Sequence, residues 1–494
     1  MVFNLGEEVK KGKVYLVGAG PGDKRLLTIK ALEVLQIADV ILYDRLVNPL
    51  LLESSKVDAE LVYCGKLPDR HILRQEAINE KLVQFGKENK IVVRLKGGDP
   101  SVFGRVAEEI EALETENIPY EVIPGITAGI AAATYAGISV THRQHGGSFA
   151  VVTGHNKTED GKPTVDWHSL AKGIDTIAFY MGVSNLSYIS NQLLLNGKKS
   201  STPVSIIQWG TLGKQKVVTG TLENITEKAK LHHIQNPAIT LVGDVNQLRK
   251  NKSWFEKQPL FGRHILFVKT SSEHSETAQA LTDLGADVFE FPRWNWNEVH
   301  SKTPLWSDYE EILFLSPTII DAFFEKIRKE QIDIRFIKAK FLCLSELSKR
   351  QLQKYGCQSQ KIRHWEPTEQ SLVIGDAIYD RQKWQEKWSN ADYVSLGYQE
   401  IVPQSIQTFR RLWDEERIET IVFPNIKAIK VFVDALKEAS FSVEDVSKCT
   451  EIICYSEEIA NIARAYQFKA AKVNATLKDK HQLIDRLLTI EGKG

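Results

Sequence analysis

Residues 17–32 read VGAGPGDKRLLTIKAL, directly behind the apolar run VYLV at 14–17. A glycine-rich turn between a strand and a helix is the usual cradle of a dinucleotide. That cradle needs glycine at its first, third and sixth positions and backbone N–H groups free to face a pyrophosphate. Here Gly18 and Gly20 fill the first two, but the sixth position is Asp23. Pro21 removes one N–H donor. A carboxylate suits the dipole at a helix start, yet it repels a phosphate placed there. Asp44, which closes ADVILYD about twenty residues on, imitates the ribose-binding acid of the dinucleotide fold and keeps that reading open. The stretch therefore predicts an α/β fold and leaves its ligand undecided.

Two further bends narrow the choice. In VVRLKGGDPSVFGR, Gly97-Gly98-Asp99-Pro100 follows a strand, flanked by Arg94, Lys96 and Arg105. In VIPGITAGIAAA, a strand again leads into a small-residue helix opening at Thr127-Ala128. Each bend alone is an ordinary βα turn. Three of them at the carboxyl ends of strands predict a single pocket.

From Val14 to about Val245, β-branched runs alternate with helical patterns, which predicts a mostly parallel sheet in an α/β architecture. With 494 residues the chain is too long for one core. The charged segment VNQLRKNKSWFEKQPLFGRH, with Pro259 and Gly262, reads as a linker and divides the chain into 1–255 and 256–494. Beyond it, EILFLSPTIIDAFFEKI with KFLCLSELSKRQLQKYG resembles ETIVFPNIKAIKVFVDAL with EIICYSEEIANIARAYQ, displaced by roughly 110 residues. That pattern suggests two similar α/β lobes with a ligand cleft between them. Unrelated βα units also look alike, so the duplication and chance similarity both stand.

Lys+Arg and Asp+Glu number 63 each, giving no net charge, which argues against nucleic-acid binding through a bulk basic field. The five cysteines are scattered without a CxxC pair and read as free thiols of a reducing compartment, not as disulfides or a metal site. The N-terminus lacks the apolar core of a signal peptide, and the weakly polar stretch near Pro124 is too rich in Gly, Ala and Thr for lipid burial. A cytoplasmic protein without a membrane segment is expected.

VGAGPGD, LYDRLV, GKLPDRH, RLKGGDPSVFGR, PGITAGIAAATYAGISVTHR, YMGV and NPAITLVGDV occur in the order and approximate spacing of the uroporphyrinogen-III C-methyltransferases. Residues 13 to about 250 resemble that family, a branch of the tetrapyrrole methylases. The resemblance implies two α/β lobes with S-adenosylmethionine in the trough between them. That cofactor carries no phosphate, which accounts for Pro21 and Asp23 in the first bend. Position by position, the resemblance implies that Pro21, Gly97, Gly98, Asp99 and Val102 line the cofactor site. Thr127, Ala128, Met181, Gly210 and Ala238 would complete it. It implies Asp44 as proton acceptor and Lys66 as proton donor. Uroporphyrinogen III bears eight carboxylates, so its groove needs local cations; Arg45 in YDR and Arg143 in THR are the candidates. Two successive methyl transfers would give precorrin-2, on the route to sirohaem and cobalamin. The family commonly forms homodimers.

Residues from about 262 to 490 resemble uroporphyrinogen-III synthase in the order of GADVFEFP, DAFFEKI and HQLIDRLL. They depart from it where Leu315-Ser316-Pro317 and Phe423-Pro424-Asn425 replace the family's Thr-Ser, and where Lys269 stands in place of Arg-Pro. A second, synthase activity and a degenerate partner-binding module are both compatible with this half. The rival readings of the first half are methylation of another tetrapyrrole or of RNA, a nicotinamide oxidoreductase, and a nonenzymatic tetrapyrrole carrier.

Overall fold

The computed structural model of the chain describes residues 12–65, 74–156, 161–299, 304–377, 384, 386–468 and 480–489. The opening stretch builds the first sheet. Its strands are β1 (Val14–Gly18), β2 (Val40–Tyr43), β3 (Glu60–Tyr63), β4 (Val92–Lys96) and β5 (Tyr120–Ile123). They lie in the order β3-β2-β4-β1-β5, every pairing parallel. Alternate residues of one strand serve opposite faces: Val14 and Leu16 join one apolar cluster, Tyr15 and Val17 the other. Both faces of this sheet are thus covered, as parallel strands require. The first helix, α1 (Ile29–Ile37), starts where the Thr28 side chain accepts from the Ala31 N–H at 3.2 Å.

The second sheet holds β6 (Phe149–Thr153), β7 (Thr176–Tyr180), β8 (Pro203–Gln208), β9 (Lys216–Thr221) and β10 (Ala238–Val242), ordered β6-β7-β10-β8-β9. Here the expected mostly parallel arrangement fails. Only β6–β7 is parallel, whereas β7–β10, β10–β8 and β8–β9 are antiparallel. The reason is chain length. β8 reaches β9 through residues 209–215 alone, and a parallel crossover needs about a dozen residues or more. A helix of small residues, Ala128–Tyr135, packs Ala132 and Ala133 against Ala178, Ile207 and Leu241 of this sheet. Larger side chains there would hold the helix off this sheet.

The second half comprises two more sheets. One holds β11 (His264–Val268), β12 (Asp287–Phe291), β13 (Thr420–Phe423) and β14 (Glu451–Cys454), all parallel, in the order β12-β11-β13-β14. The chain leaves it for the other, six-stranded sheet over residues 294–401 and then returns. The two look-alike stretches lie in different sheets and have the same order of strand, helix, strand, helix. Their helices open on matching caps: Ser316, Ser345, Asn425 and Ser456 each accept from the backbone N–H three residues on. Ser316 and Asn425, at the departures from the synthase pattern, thus spend their polar groups on helix starts. Among the described residues no helix is long and apolar enough to cross a membrane.

Candidate active site

The three bends meet. Gly20 and Gly98 exchange backbone hydrogen bonds, Gly20 N to Gly98 O at 3.1 Å and Gly98 N to Gly20 O at 2.7 Å. The third bend presses on both: a Cβ on Gly125 would lie 2.3 Å from the Gly98 carbonyl oxygen and 2.8 Å from the Gly18 Cα. Only glycine allows that approach. Asp99 fixes the contact, its Oδ2 accepting from Gly125 N at 3.0 Å and its Oδ1 from Ser101 N at 2.8 Å.

Above the bends lies a cavity of about 580 Å³. Its floor includes Pro21, Gly97, Gly98, Asp99 and Val102. Thr127 and Ala128 close one side, and Met181, Gly210 and Ala238 come from the second sheet. Asp44 and Arg45 stand at the edge nearest β2, Arg45 exposed. Lys66 falls outside the described residues, although Gly65 before it lines the wall. Arg143 is exposed and is not part of that wall.

Asp23, which argued against a phosphate, is not part of the wall either. Its Oδ1 accepts from Arg25 N at 2.9 Å, and its Oδ2 accepts from the Tyr135 hydroxyl at 2.9 Å. It is a helix-start cap that also ties the first bend to the small-residue helix.

Several wall residues were not singled out from the sequence. The Tyr180 hydroxyl accepts from Gly129 N at 2.5 Å and shares a 2.5 Å hydrogen bond with Thr127 Oγ1, joining the second sheet to the third bend. Trp209, Phe103, Leu46 and Gln75 also line the cavity. Tyr180 and Trp209 directly precede Met181 and Gly210, so adjacency was the available signal. Phe103, Arg105, Met181 and Trp209 all have positive φ, between 49° and 57°. Left-handed backbone in such side chains costs energy and concentrates at ligand sites.

Electrostatics centre on β4. Arg94 donates from Nη2 to Asp44 Oδ1 at 2.7 Å and from Nε to Glu109 Oε1 at 3.0 Å. Lys96 Nζ donates to the same Glu109 oxygen at 2.7 Å. The side chains of Arg94, Lys96 and Glu109 are 2%, 4% and 0% exposed, while that of Asp44 is 32% exposed. Burial opposes the charge on Arg94, but Asp44 and Glu109 outweigh it and hold its pKa above the ordinary value. Burial, and then the nearby Arg94, pull Lys96 below the ordinary lysine value. Burial pushes the neighbouring Cys64 thiol up to about 11. Two cations and two carboxylates therefore balance, and Asp44 is the member that reaches water.

Gly210 gives a direct test of how tightly the wall is built. A Cβ there would lie 2.4 Å from the Cβ of Ala132. Gly210→Ala is expected to destabilise the protein by ~1–3 kcal/mol through overpacking, read by thermal denaturation. A variant as stable as the wild type would show that the small-residue helix can retreat.

Residues 13–226 match the family Tetrapyrrole (Corrin/Porphyrin) Methylases. A uroporphyrinogen-III C-methyltransferase of Bacillus subtilis (strain 168) is 41% identical over 470 residues, covering 94% of this chain and 95% of its own length. The chain belongs to the uroporphyrinogen-III C-methyltransferases. A shorter member of that family, from Priestia megaterium, is 58% identical over 234 residues, 47% of this chain and 98% of its own length. A crystal structure of uroporphyrin-III C-methyl transferase from Thermus thermophilus complexed with S-adenyl homocysteine shares 37% identity. It covers 48% of this chain and 99% of its own, with a TM-score of 0.42. The family match contains Asp44 and every wall residue named from the sequence except Ala238.

Proposed function

We propose that the chain transfers two methyl groups from S-adenosylmethionine to ring carbons of uroporphyrinogen III, giving precorrin-2. The convergence of the three glycine bends on one cavity carries this reading. The cavity suits such a donor and not a dinucleotide. Pro21 offers no N–H, and the N–H groups of Gly20 and Gly98 are spent on each other's carbonyls, so the meeting of these two bends is not free to cradle a pyrophosphate. Val102, Met181 and Ala238 supply apolar wall, and the glycines leave backbone within reach of a ligand. When bound, S-adenosylmethionine supplies an activated methyl group on a sulfonium.

The chain's own residues then align and protect the reactants. Pro21, Gly97, Gly98, Asp99, Thr127 and Ala128 hold the donor, with Met181, Gly210 and Ala238 opposite. Alignment and exclusion of water supply most of the acceleration. Asp44, the solvent-reaching member of the buried network, accepts the one proton that the macrocycle must lose for each methyl it gains, so the sulfonium's charge leaves as that proton. Lys66, as donor, serves only the relocation of a second proton on the ring. Arg45 at the rim meets a substrate carboxylate. Arg143, outside the wall, takes no part in this reading. The family resemblance supports a homodimer, and the expected compartment is the cytoplasm.

Mass analysis after mixing the protein with uroporphyrinogen III and S-adenosylmethionine is the test. A gain of two methyl groups is expected; a product without added methyls would reject the assignment.

A further inference from the structure

The wall of the cavity nearest Asp44 is not held by the first half alone. Asp44 opens a connection, residues 44–59, that carries Arg45 and Leu46 into the cavity and then turns through a 3-10 helix, Pro49–Ser54. Side chains of the second half close on that connection. Arg411 Nη2 donates to the carbonyls of Arg45 at 2.5 Å and Val47 at 2.7 Å. Arg293 donates to the carbonyl of Ser55 at 2.7 Å. Gln404 donates to the carbonyls of Val57 at 2.6 Å and Ala59 at 3.1 Å. Five carbonyls of one connection thus accept from three side chains more than two hundred residues away.

The connection's internal turn bonds use other acceptors: Val47 N donates to Asp44 O, Ser55 N to Leu52 O and Ala59 N to Lys56 O. Gln404 and Arg411 lie seven residues apart in the helix Pro403–Asp414, so they share a face. Glu415 Oε1 accepts from Arg411 Nε at 3.0 Å, fixing the guanidinium. The guanidinium also lies 5.6 Å from the ring centroids of both Tyr43 and Tyr63, at the ends of β2 and β3. Arg417 adds a second tie. Its Nη1 donates to Asn48 Oδ1 at 3.3 Å, and Asn48 Nδ2 donates to the Gly22 carbonyl at 2.7 Å, in the first glycine bend.

We propose that the second half is a brace for the first: Arg411, with Gln404 and Arg293, is a positioning residue that sets the connection carrying Asp44 and Arg45 against the substrate side of the cavity. The donor-binding floor at Gly97–Asp99 receives none of these three side chains. Loosening the brace is therefore expected to fall first on kcat, and to reach the donor's KM only through Leu46, which packs against Gly97. The Priestia megaterium relative is matched over 98% of its length by 234 residues, so the brace belongs to the longer form of the family. The catalytic part of this inference rests on the methyltransferase reading; the ordering of residues 44–59 does not.

Arg411→Ala and the pair Arg411→Ala/Gln404→Ala, made in the full chain, are the test, with amide hydrogen exchange and steady-state kinetics as readouts. Faster exchange confined to residues 44–59 is expected, with kcat lower by ~10- to 100-fold, since a misplacement of about 1 Å can cost that much. The KM for S-adenosylmethionine is expected to stay within about twofold of the wild type, a change of ~0.4 kcal/mol. Arg411→Lys, which keeps the charge but not the planar fork, is expected to recover part of kcat. Unchanged exchange in 44–59, or loosened exchange with an undiminished kcat, would overturn the proposal. A fall in kcat accompanied by exchange spread over the whole first half would overturn it too, because general destabilisation would then suffice. If the wild-type chain transfers no methyl group, the methyltransferase reading falls, and the exchange pattern still decides whether the second half orders this connection.

Discussion

Asp44→Asn is expected to slow methyl transfer by ~10²–10⁴-fold in a single-turnover assay, the range by which a well-placed proton acceptor contributes. Asparagine is the informative replacement. Its side-chain oxygen can still accept from Arg94 Nη2, which meets Asp44 Oδ1 at 2.7 Å, so the buried cation keeps a hydrogen-bond partner. Alanine would remove the acceptor and confound lost chemistry with a disturbed core. Binding of S-adenosylmethionine is expected to hold, because the three bends that form the donor floor lie on β1, β4 and β5 rather than at the end of β2. A variant that methylates within about twofold of the wild-type rate would reduce Asp44 to a counter-ion of Arg94, for the proton-transfer contribution is far larger than that.

Asp44 was legible as the residue that closes a strand, while its part in the chemistry came from the resemblance to the methyltransferase family. The same holds for Gly97, Gly98 and Thr127: turn chemistry is written in a few consecutive residues. The two-layer alternation of β1 was equally readable, since its period of two decides which face each side chain serves. What escaped depends on distant partners. Tyr180 is a strand residue until the third bend, about fifty residues away in the chain, brings Gly129 and Thr127 to its hydroxyl. The mixed second sheet was missed because β10 inserts between β7 and β8, and strand order leaves no trace in hydrophobic period. Asp23 was read as a carboxylate facing the ligand, whereas its use as a cap tied to Tyr135, away from the cavity wall, needed the fold. The brace is the extreme case. Arg411 reads as a solvated charge on an amphipathic helix until its helix meets carbonyls 364 and 366 residues away.

Glu109→Gln is expected to cost ~3–5 kcal/mol of stability at neutral pH, the loss found when one partner of a buried charge pair is removed. The substitution conserves volume, so packing is not the cause. Glu109 is wholly buried in the helix Val106–Thr115, where it answers both Arg94 and Lys96 with one oxygen. Without its charge, two buried cations share the single carboxylate of Asp44. Lys96 can escape by losing its proton, whereas Arg94 cannot. The sign of the pH dependence follows from this difference. Lys96 already has a folded pKa below the ordinary lysine value, so the unfolded chain binds its proton more tightly, and stability rises with pH between the folded value and about 10.4. Removing Glu109 lowers the folded value further and widens that window. The deficit of the variant is therefore largest near neutrality and shrinks as pH climbs toward about 10, leaving the part that belongs to Arg94. Denaturant unfolding of wild type and variant across that pH range measures it. A deficit that stays constant with pH would exclude Lys96 as its source and place the cost on Arg94 and the altered hydrogen bonds. Because Arg94 also holds Asp44, a variant that remains folded is expected to lose activity as well, its base drawn toward the unbalanced cations and away from the cavity edge.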